Sequence, residues 1–581
     1  GGAGGGSIDG AADLPLLPGR LGLHAAALLR SEGGYVDRVD PFDGHIVEAA
    51  SDTVHSSALR IALAYAGTAG LRIEPAIYME DVRLDDSPNF YLDAPATAGD
   101  PAFRGGARFA NAKLLRQPTT SRLWIGTLKV EKALPGATLR SYTGLYTRSA
   151  AAYIDQTNGA CLDFFGGCGN PLGPAYPSSA DQAVESHISH FQRALVQELR
   201  VSSPWEAQRF SWIAGLYFRQ LDDRGEDTTY IALDPGNLGL QSLTDNTGND
   251  LAAYANLRYA PAPRWSLDAG TRIEWLRFWG TDAEAGFANS DPHPATRSGV
   301  PWRKRSVDPR LDVGYQPDAW RYFYASAARG SRAGGVNNVR HCGDWPAPGA
   351  FDTDALWNYE AGTKLRLADS RLRIGASAFY IRWTGMQDHI ADPCGNTYTL
   401  NAGGATSTGV DFDAALDLGH WQLSTALERL RTWHTNTVRD GLGQVVALRG
   451  TVIGNPYSAA PPWSARIAIR REWPAAPGTF DLRLEGRLHA RNDGPYTAAD
   501  PAAVDHALAL LGTEPATRWW QLQAGWARGA WRVSLAIENL GNEHPVLQVN
   551  TDGPGSLPLY ANTFRPRTIR VELQRAFRAA P

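Results

Sequence analysis

The sequence predicts an all-β fold, a transmembrane antiparallel β-barrel with about 21 strands present. Three observations predict it. Segments of about 10 to 13 residues alternate apolar with polar side chains, longer than the 5 or 6 residues usual in a soluble strand. Short turns and long polar loops follow one another in strict alternation. Aromatic residues recur just after the short turns.

The strands come first. In Phe480 to His489, Phe480, Leu482, Leu484 and Leu488 share one face, while Asp481, Arg483, Glu485, Arg487 and His489 share the other. Trp265, Leu267, Ala269, Ile273 and Trp275 likewise oppose Ser266, Asp268, Arg272 and Glu274. One face is greasy and the other charged, as lipid outside and water inside require. We expect Asp268, Arg272, Glu274, Arg483, Glu485 and Arg487 to line a polar lumen, where water, salt-bridge partners or a plug must satisfy them.

The connections follow. Ten short turns are read at residues 17–20, 67–70, 135–137, 204–208, 261–264, 317–319, 369–370, 419–420, 474–478 and 528–530. Ten long loops are read at 31–54, 83–120, 155–190, 220–248, 280–305, 329–355, 384–400, 433–461, 492–516 and 541–563. Twenty connections join 21 strands, with short turns on one rim and long loops on the other. The loop 492–516 carries a helix signature, with Asp500 as N-cap, Pro501 in the first turn and Gly512 at C′. Trp265, Trp320, Trp421, Phe480 and Trp531 stand beside short turns, where an aromatic girdle meets the periplasmic interface.

Parity has a consequence at the ends. With 21 strands the first (about 5–17) and last (568–577) run the same way, so Gly1 lies at the long-loop rim and one strand is expected upstream. Without it, those two strands either pair in parallel or leave a seam. We expect a gap or a strained contact.

Composition narrows the function. Of 581 residues 43% are apolar and 20% charged, and Gly 60 and Pro 37 are spread along the chain, so residues 1–581 read as a single barrel domain. No run of 18 apolar residues marks a membrane helix, and no charged n-region with an apolar h-region opens the chain. A net charge of -4 with scattered Arg gives no footprint for nucleic acid. No nucleophile elbow, phosphate loop, HExxH helix or paired catalytic carboxylates stand out, so neither an enzyme nor a cofactor is expected.

At family level the residues resemble the C-terminal barrel of TonB-dependent outer-membrane receptors. The likeness is carried by Tyr35-Val-Asp-Arg-Val39, Gln197-Glu-Leu-Arg200, Trp212-Ile-Ala-Gly215, Tyr324-Ala-Ser326 with Arg332-Ala-Gly-Gly335, Trp357-Asn-Tyr-Glu-Ala-Gly362, Thr406-Ser-Thr-Gly-Val-Asp411 and Glu538-Asn-Leu540. Pro566-Arg567-Thr568 and a terminal Phe577 complete it. The resemblance implies a 22-stranded barrel in the outer membrane of a Gram-negative bacterium, monomeric, in contact with lipid and lipopolysaccharide. It implies uptake of a scarce nutrient, most often a ferric siderophore or similar metal chelate. Family members also carry a signal peptide, a segment that engages TonB and an N-terminal plug, none of which this sequence shows. Coupling to the TonB complex is therefore expected only of a full-length receptor. The final strand departs from the family in placing Arg575, where an aromatic is usual, on its outward face. A passive pore or structural barrel is the alternative, ahead of a soluble all-β binding protein or hydrolase.

Candidate sites follow from this topology. Cys161, Cys168, Cys342 and Cys394 all fall in long loops on the oxidising side, where disulfides form, Cys161 with Cys168 and Cys342 with Cys394. A zinc site at His341, Cys342 and Cys394 lacks a fourth ligand. Ligand recognition is expected of Arg332, Asn337, Asn338, Arg340, His341 and Trp345, then of Trp279, Trp433, His434 and Tyr496, because guanidinium, indole and imidazole groups concentrate in those loops. Ordinary loop packing would use the same residues. Ligand identity is not readable.

Overall fold

The computed structural model describes residues 2–42, 45–92, 109–163, 178–204, 209–231, 238–285, 295–298, 302–337, 349–391, 397–439, 445–447, 461–492, 515–550 and 560–577. Twenty-one long strands follow one another as an antiparallel meander. They are β1 (Gly6–Leu17), β2 (Leu21–Glu32), β3 (Val54–Ala66), β4 (Leu71–Leu84), β5 (Thr119–Leu134), β6 (Ala137–Asp155) and β7 (Val184–Ser202). Then come β8 (Phe210–Ile231), β9 (Leu238–Ala262), β10 (Trp265–Ala285), β11 (Trp302–Asp318), β12 (Arg321–Arg332), β13 (Asp354–Leu367) and β14 (Leu372–Thr384). The last are β15 (Gly404–Asp417), β16 (Trp421–His434), β17 (Trp463–Ala475), β18 (Gly478–His489), β19 (Thr517–Arg528), β20 (Trp531–Glu538) and β21 (Thr568–Arg575). The four residues Ala295–Ser298 pair with the end of β10 and make the sheet 22-stranded in all.

The period-2 pattern is the cause of this sheet. Outward positions such as Leu251, Leu257, Leu311, Leu427 and Val533 are exposed, which in a bilayer means exposed to lipid. Trp265, Trp320, Trp421 and Trp531 hold their rings 42% to 48% exposed on the short-turn rim. Tyr315 lies 4.6 Å from Trp265, and Trp473 lies 5.2 Å from Phe480.

The loops differ from expectation in two places. Residues 220–248, read as a loop, are mostly strand, for β8 and β9 run 22 and 25 residues and stay in register from Phe210↔Tyr259 to Thr229↔Leu240. The region 280–305 is shortened in the same way, since β10 reaches Ala285. The sequence hid this because the greasy face ends before the ladder does. Asp222, Asp223, Glu226, Asp227, Asp245 and Asn246 leave both faces polar, as suits a hairpin standing in water above the apolar band of roughly 25 Å. The expected helix in 492–516 falls outside the described residues.

Among the described residues β1 pairs only with β2 and β21 only with β20, so no ladder joins first strand to last. Ile8 and Val571, each 71% exposed, mark those two edges. The long-loop rim is nevertheless continuous across the seam. Phe90–Tyr91 pairs with Tyr560–Asn562, which in turn pairs with Gln548–Asn550. The Arg565 guanidinium, just before β21, donates to the Gly33 carbonyl just after β2. Two buried apolar clusters sit here. One gathers Val39, Tyr91, Ala110, Ala112 and Tyr560; another gathers Val36, Phe90, Phe109 and Ala561. Two smaller ones, Met386 with Ala402 and Ala405 and Ala160 with Val184 and Ile231, lie under other loops at the strand ends.

Candidate functional site

Two surfaces can act on a ligand, the inner wall and the long-loop rim. On the wall, directly opposite residues of neighbouring strands share a face, so register brings together what sequence leaves apart. Arg272 holds Glu274 at 2.6 Å and stacks 4.8 Å over Tyr217. Asp268 stands opposite Arg258. Glu485 accepts from Arg483 at 2.7 Å, from Arg487 at 3.2 Å and from Arg466 at 2.9 Å. Of the six residues expected from sequence to line a lumen, five are ion-paired with neighbours, and Asp268 stands opposite a guanidinium.

Other wall pairs could not be matched from sequence. Arg219 pairs with Asp250, Arg140 with Glu131, Lys129 with Glu74, Arg329 with Asp308 and Arg532 with Asp481. Glu198 accepts from the Tyr254 hydroxyl and from Arg200 at 3.1 Å. Each partner belongs to an alternating strand and was visible as polar, but pairing depends on strand register. A recess of about 740 Å³ opens on the wall, lined by His24, Arg60, Glu74, Lys129, Tyr142 and Glu198, with Ala62, Ala76 and Gly144 leaving the room.

On the rim, Arg332 donates to Asp354 at 2.6 Å and to the Gln387 carbonyl at 3.1 Å, and its guanidinium stacks 5.4 Å from Trp383. The same Asp354 carboxylate accepts from the Trp383 indole at 3.0 Å and from the Gln387 amide at 3.1 Å. Asn337 bonds the Thr399 backbone in both directions, at 2.7 and 2.9 Å. These contacts fasten one long loop to the next. Trp433 lies 5.7 Å from Arg431, and His434 is buried opposite Ala405. Trp279, 53% exposed, shares the outward face of β10 with Trp265 and Trp275, which points it away from the lumen. Asn338, Arg340, His341, Trp345 and Tyr496 lie outside the described residues. So do Cys168, Cys342 and Cys394, while Cys161 is fully buried in α1 (Thr157–Asp163) and disulfide-bonded.

Over the first, second, third and last long loops the rim closes into one cluster. The Tyr91 and Tyr560 rings meet at 4.7 Å, Lys113 stacks 4.5 Å from Tyr560, and Asn158 donates to the Tyr91 hydroxyl at 3.1 Å. Asp52 accepts the backbone amides of Tyr35 and Val36 at 2.6 and 2.7 Å. Burial pushes the Asp52 carboxyl above its ordinary range despite those bonds, and burial beside Asp52 pushes the Tyr35 phenol up to about 12. Asp86 is raised by burial in the same way.

Known proteins share this architecture. The chain superposes on the ferric yersiniabactin uptake receptor FyuA of Yersinia pestis with a TM-score of 0.76 at 17% identity, covering 99% of this chain and 79% of that one. The ferric-catecholate import receptor Fiu of Escherichia coli gives 0.68 at 12% identity, covering 99% and 80%. The ferripyoverdine receptor of the Pseudomonas aeruginosa outer membrane gives 0.65 at 12%, covering 98% and 70%. At these identities the likeness is one of fold. In sequence, the metal-pseudopaline receptor CntO of Pseudomonas aeruginosa is 32% identical over 108 residues, which span 19% of this chain and 14% of that protein. Residues 64–540 match the family described as TonB dependent receptor-like, beta-barrel. With most of its length matched, and with wall, girdle and rim arranged as that fold requires, the chain belongs to the β-barrel family of TonB-dependent outer-membrane receptors, a family of receptors and not of enzymes.

Proposed function

We propose that this barrel serves uptake of a scarce nutrient across the outer membrane, a ferric siderophore or similar metal chelate being the favoured ligand class. The observation that carries the reading is the fold likeness to FyuA, Fiu and the ferripyoverdine receptor over 98% to 99% of the chain, all three of them receptors for ferric chelates. The rim cluster supports it, since loops folded together over a polar lumen make a mouth with fixed walls. Residues 1–581 act as one barrel domain, monomeric and embedded in lipid and lipopolysaccharide by its aromatic-bounded outer face. Movement of ligand through the lumen requires a plug that answers to TonB. The wall's internal ion pairs support a barrel that is stable with its lumen filled by water. Cys161 pairs with Cys168, and Cys342 with Cys394.

Titrating the purified protein with a panel of ferric chelates, followed by tryptophan quenching, tests the ligand class. Saturable binding of at least one chelate, lost when iron is removed, is the expected result. Uniform failure across the panel, with barrel integrity verified by heat-modifiable gel mobility, overturns the reading.

A further inference from the structure

The outward face of β10 and β11 carries a surplus of positive charge at one level. Arg277 on β10 stands directly opposite Arg303 on β11, and Arg305 stands opposite Trp275 with its guanidinium 5.7 Å from the indole ring. All three arginines are exposed, in one row with the exposed Trp275 and Trp279, which puts them on the lipid side. From Trp265 to Trp279 and from Trp302 to Asp318 every Asp and Glu falls at an even-numbered position, on the inward face. None of the three guanidiniums forms an ion pair among the described residues. Outward arginines elsewhere differ: Arg122 is matched by Asp81 at 2.7 Å, Arg193 by Asp222 at 3.1 Å and Arg224 by Asp245 at 3.3 Å.

Height along the wall decides what meets this surplus. Trp265 marks the short-turn girdle at the start of β10, and Arg277 lies further up the same strand. At about 3.3 Å per residue and a strand tilt of about 40°, the rise between them is about 30 Å along the membrane normal. The apolar band is roughly 25 Å tall, so the three guanidiniums stand just beyond its outer edge, among the headgroups. Below them Val307, Leu311 and Leu267 continue the same face as an exposed apolar track. Like charges directly opposite on neighbouring strands repel each other. The described residues of this face offer Arg277 and Arg303 no counter-charge, so an anion from the leaflet relieves the repulsion.

We propose that Arg277, Arg303 and Arg305 form a docking site for one phosphorylated lipid of the outer leaflet, a headgroup bearing two phosphates. Planar guanidinium forks take phosphate oxygens bidentately, and three of them on adjacent strands match two phosphates better than one. Trp275 and Trp279 flank the headgroup, and the acyl chains lie along the apolar track below. The site rests on the lipid embedding proposed above and is independent of chelate uptake.

Native mass spectrometry of the full 581-residue chain in detergent, titrated with diphosphoryl lipid A, tests it. Saturable binding of a first lipid is expected, weakened about tenfold or more in the Arg277→Gln, Arg303→Gln double variant and unchanged in Arg193→Gln. The Arg277→Lys, Arg303→Lys variant, which keeps the charge and loses the forks, should fall between wild type and the glutamine pair. Monophosphoryl lipid A should bind more weakly than the diphosphoryl form, and phosphatidylcholine more weakly still. Each variant is first checked for the folded, heat-modifiable form, so that loss of the barrel is told apart from loss of the site. Wild-type affinity in the double glutamine variant overturns the proposal, as does equal weakening in Arg193→Gln. Phosphatidylcholine bound as tightly as diphosphoryl lipid A also overturns it, and so does displacement of the lipid by an equal concentration of inorganic phosphate, which would mark a site for the free anion.

Discussion

Arg575 on β21 faces Trp531 on β20 in register, its guanidinium 4.9 Å from the indole ring and 4.6 Å from the ring of Phe577. A cation on the lipid-facing side of a terminal strand is held between two girdle aromatics. It replaces the usual aromatic by binding aromatics. Arg471 repeats the device between Trp421 at 4.9 Å and Trp473 at 5.1 Å.

Cation–π contacts of this kind are worth about 0.5 to 2 kcal/mol each. Arg575→Ala should therefore lower barrel stability by roughly 1 to 2 kcal/mol, read as a lower urea midpoint in lipid vesicles, while Arg575→Phe should hold close to wild type. An Arg575→Ala variant as stable as wild type would show that the stack contributes nothing.

Four glycines of the sheet have a common physical role. Gly215, Gly362, Gly409 and Gly486 each stand directly opposite an aromatic, Tyr254, Tyr324, Phe379 and Trp520, and in every case the ring lies where a Cβ would be, within 2.3 to 2.7 Å. Aromatic side chains cover the gaps that glycines leave in the sheet. Gly215→Ala should cost about 1 to 3 kcal/mol by overpacking and displace Tyr254 from Glu198. In the Gly215→Ala, Tyr254→Ala double variant the penalty of the glycine change should largely disappear; additive losses in urea unfolding would refute the pairing.

Asp52 sets a pH dependence on the rim. Its carboxyl is raised by burial, so the protonated form is favoured in the folded loop. The contribution of this group to stability is complete below its unfolded value of about 4 and is lost as pH rises through the folded value. Asp52→Asn keeps an oxygen for the Tyr35 and Val36 amides without the buried charge. It should protect the first long loop from proteolysis better than wild type at pH 7, with the difference vanishing toward pH 4. Asp52→Ala strands both amides at about 1 to 3 kcal/mol each, and should be cleaved faster at every pH. Asp86 shifts in the same direction but is common to all three proteins, so it drops out of the comparison.

The free edges of β1 and β21 should be visible to hydrogen exchange. In each, the amides facing the single partner strand should be protected and the alternate amides should exchange fast, whereas the interior strands β2 to β20 should be protected throughout. Uniform protection along β1 would mean that its second edge is paired.

Much of this was legible because outer-membrane strands obey a period of two, which a single chain displays openly. The turns at 67–70, 261–264 and 419–420 could be placed from Gly and Pro and from the aromatics beside them. What stayed hidden depends on partners across space. Arg466 could not be matched to Glu485 without the β17–β18 register, and Tyr91 meets Tyr560 across 469 residues. The extended hairpin of β8 and β9 escaped for a different reason, since a strand wet on both faces has no period to read. Arg332 and Asn337 were singled out by their chemistry as ligand-recognition candidates, and the structure engages both in loop-to-loop bonds.

The strand formed by Tyr560 to Asn562 against Phe90 and Tyr91 also acts as a clasp. Among the described residues no ladder joins β1 to β21 along the wall, yet the lip above them is bonded from the second long loop to the last. The two ends of the sheet are thus held in place by loops and not by their own strands, so the loop sequence carries part of the task of closing the wall.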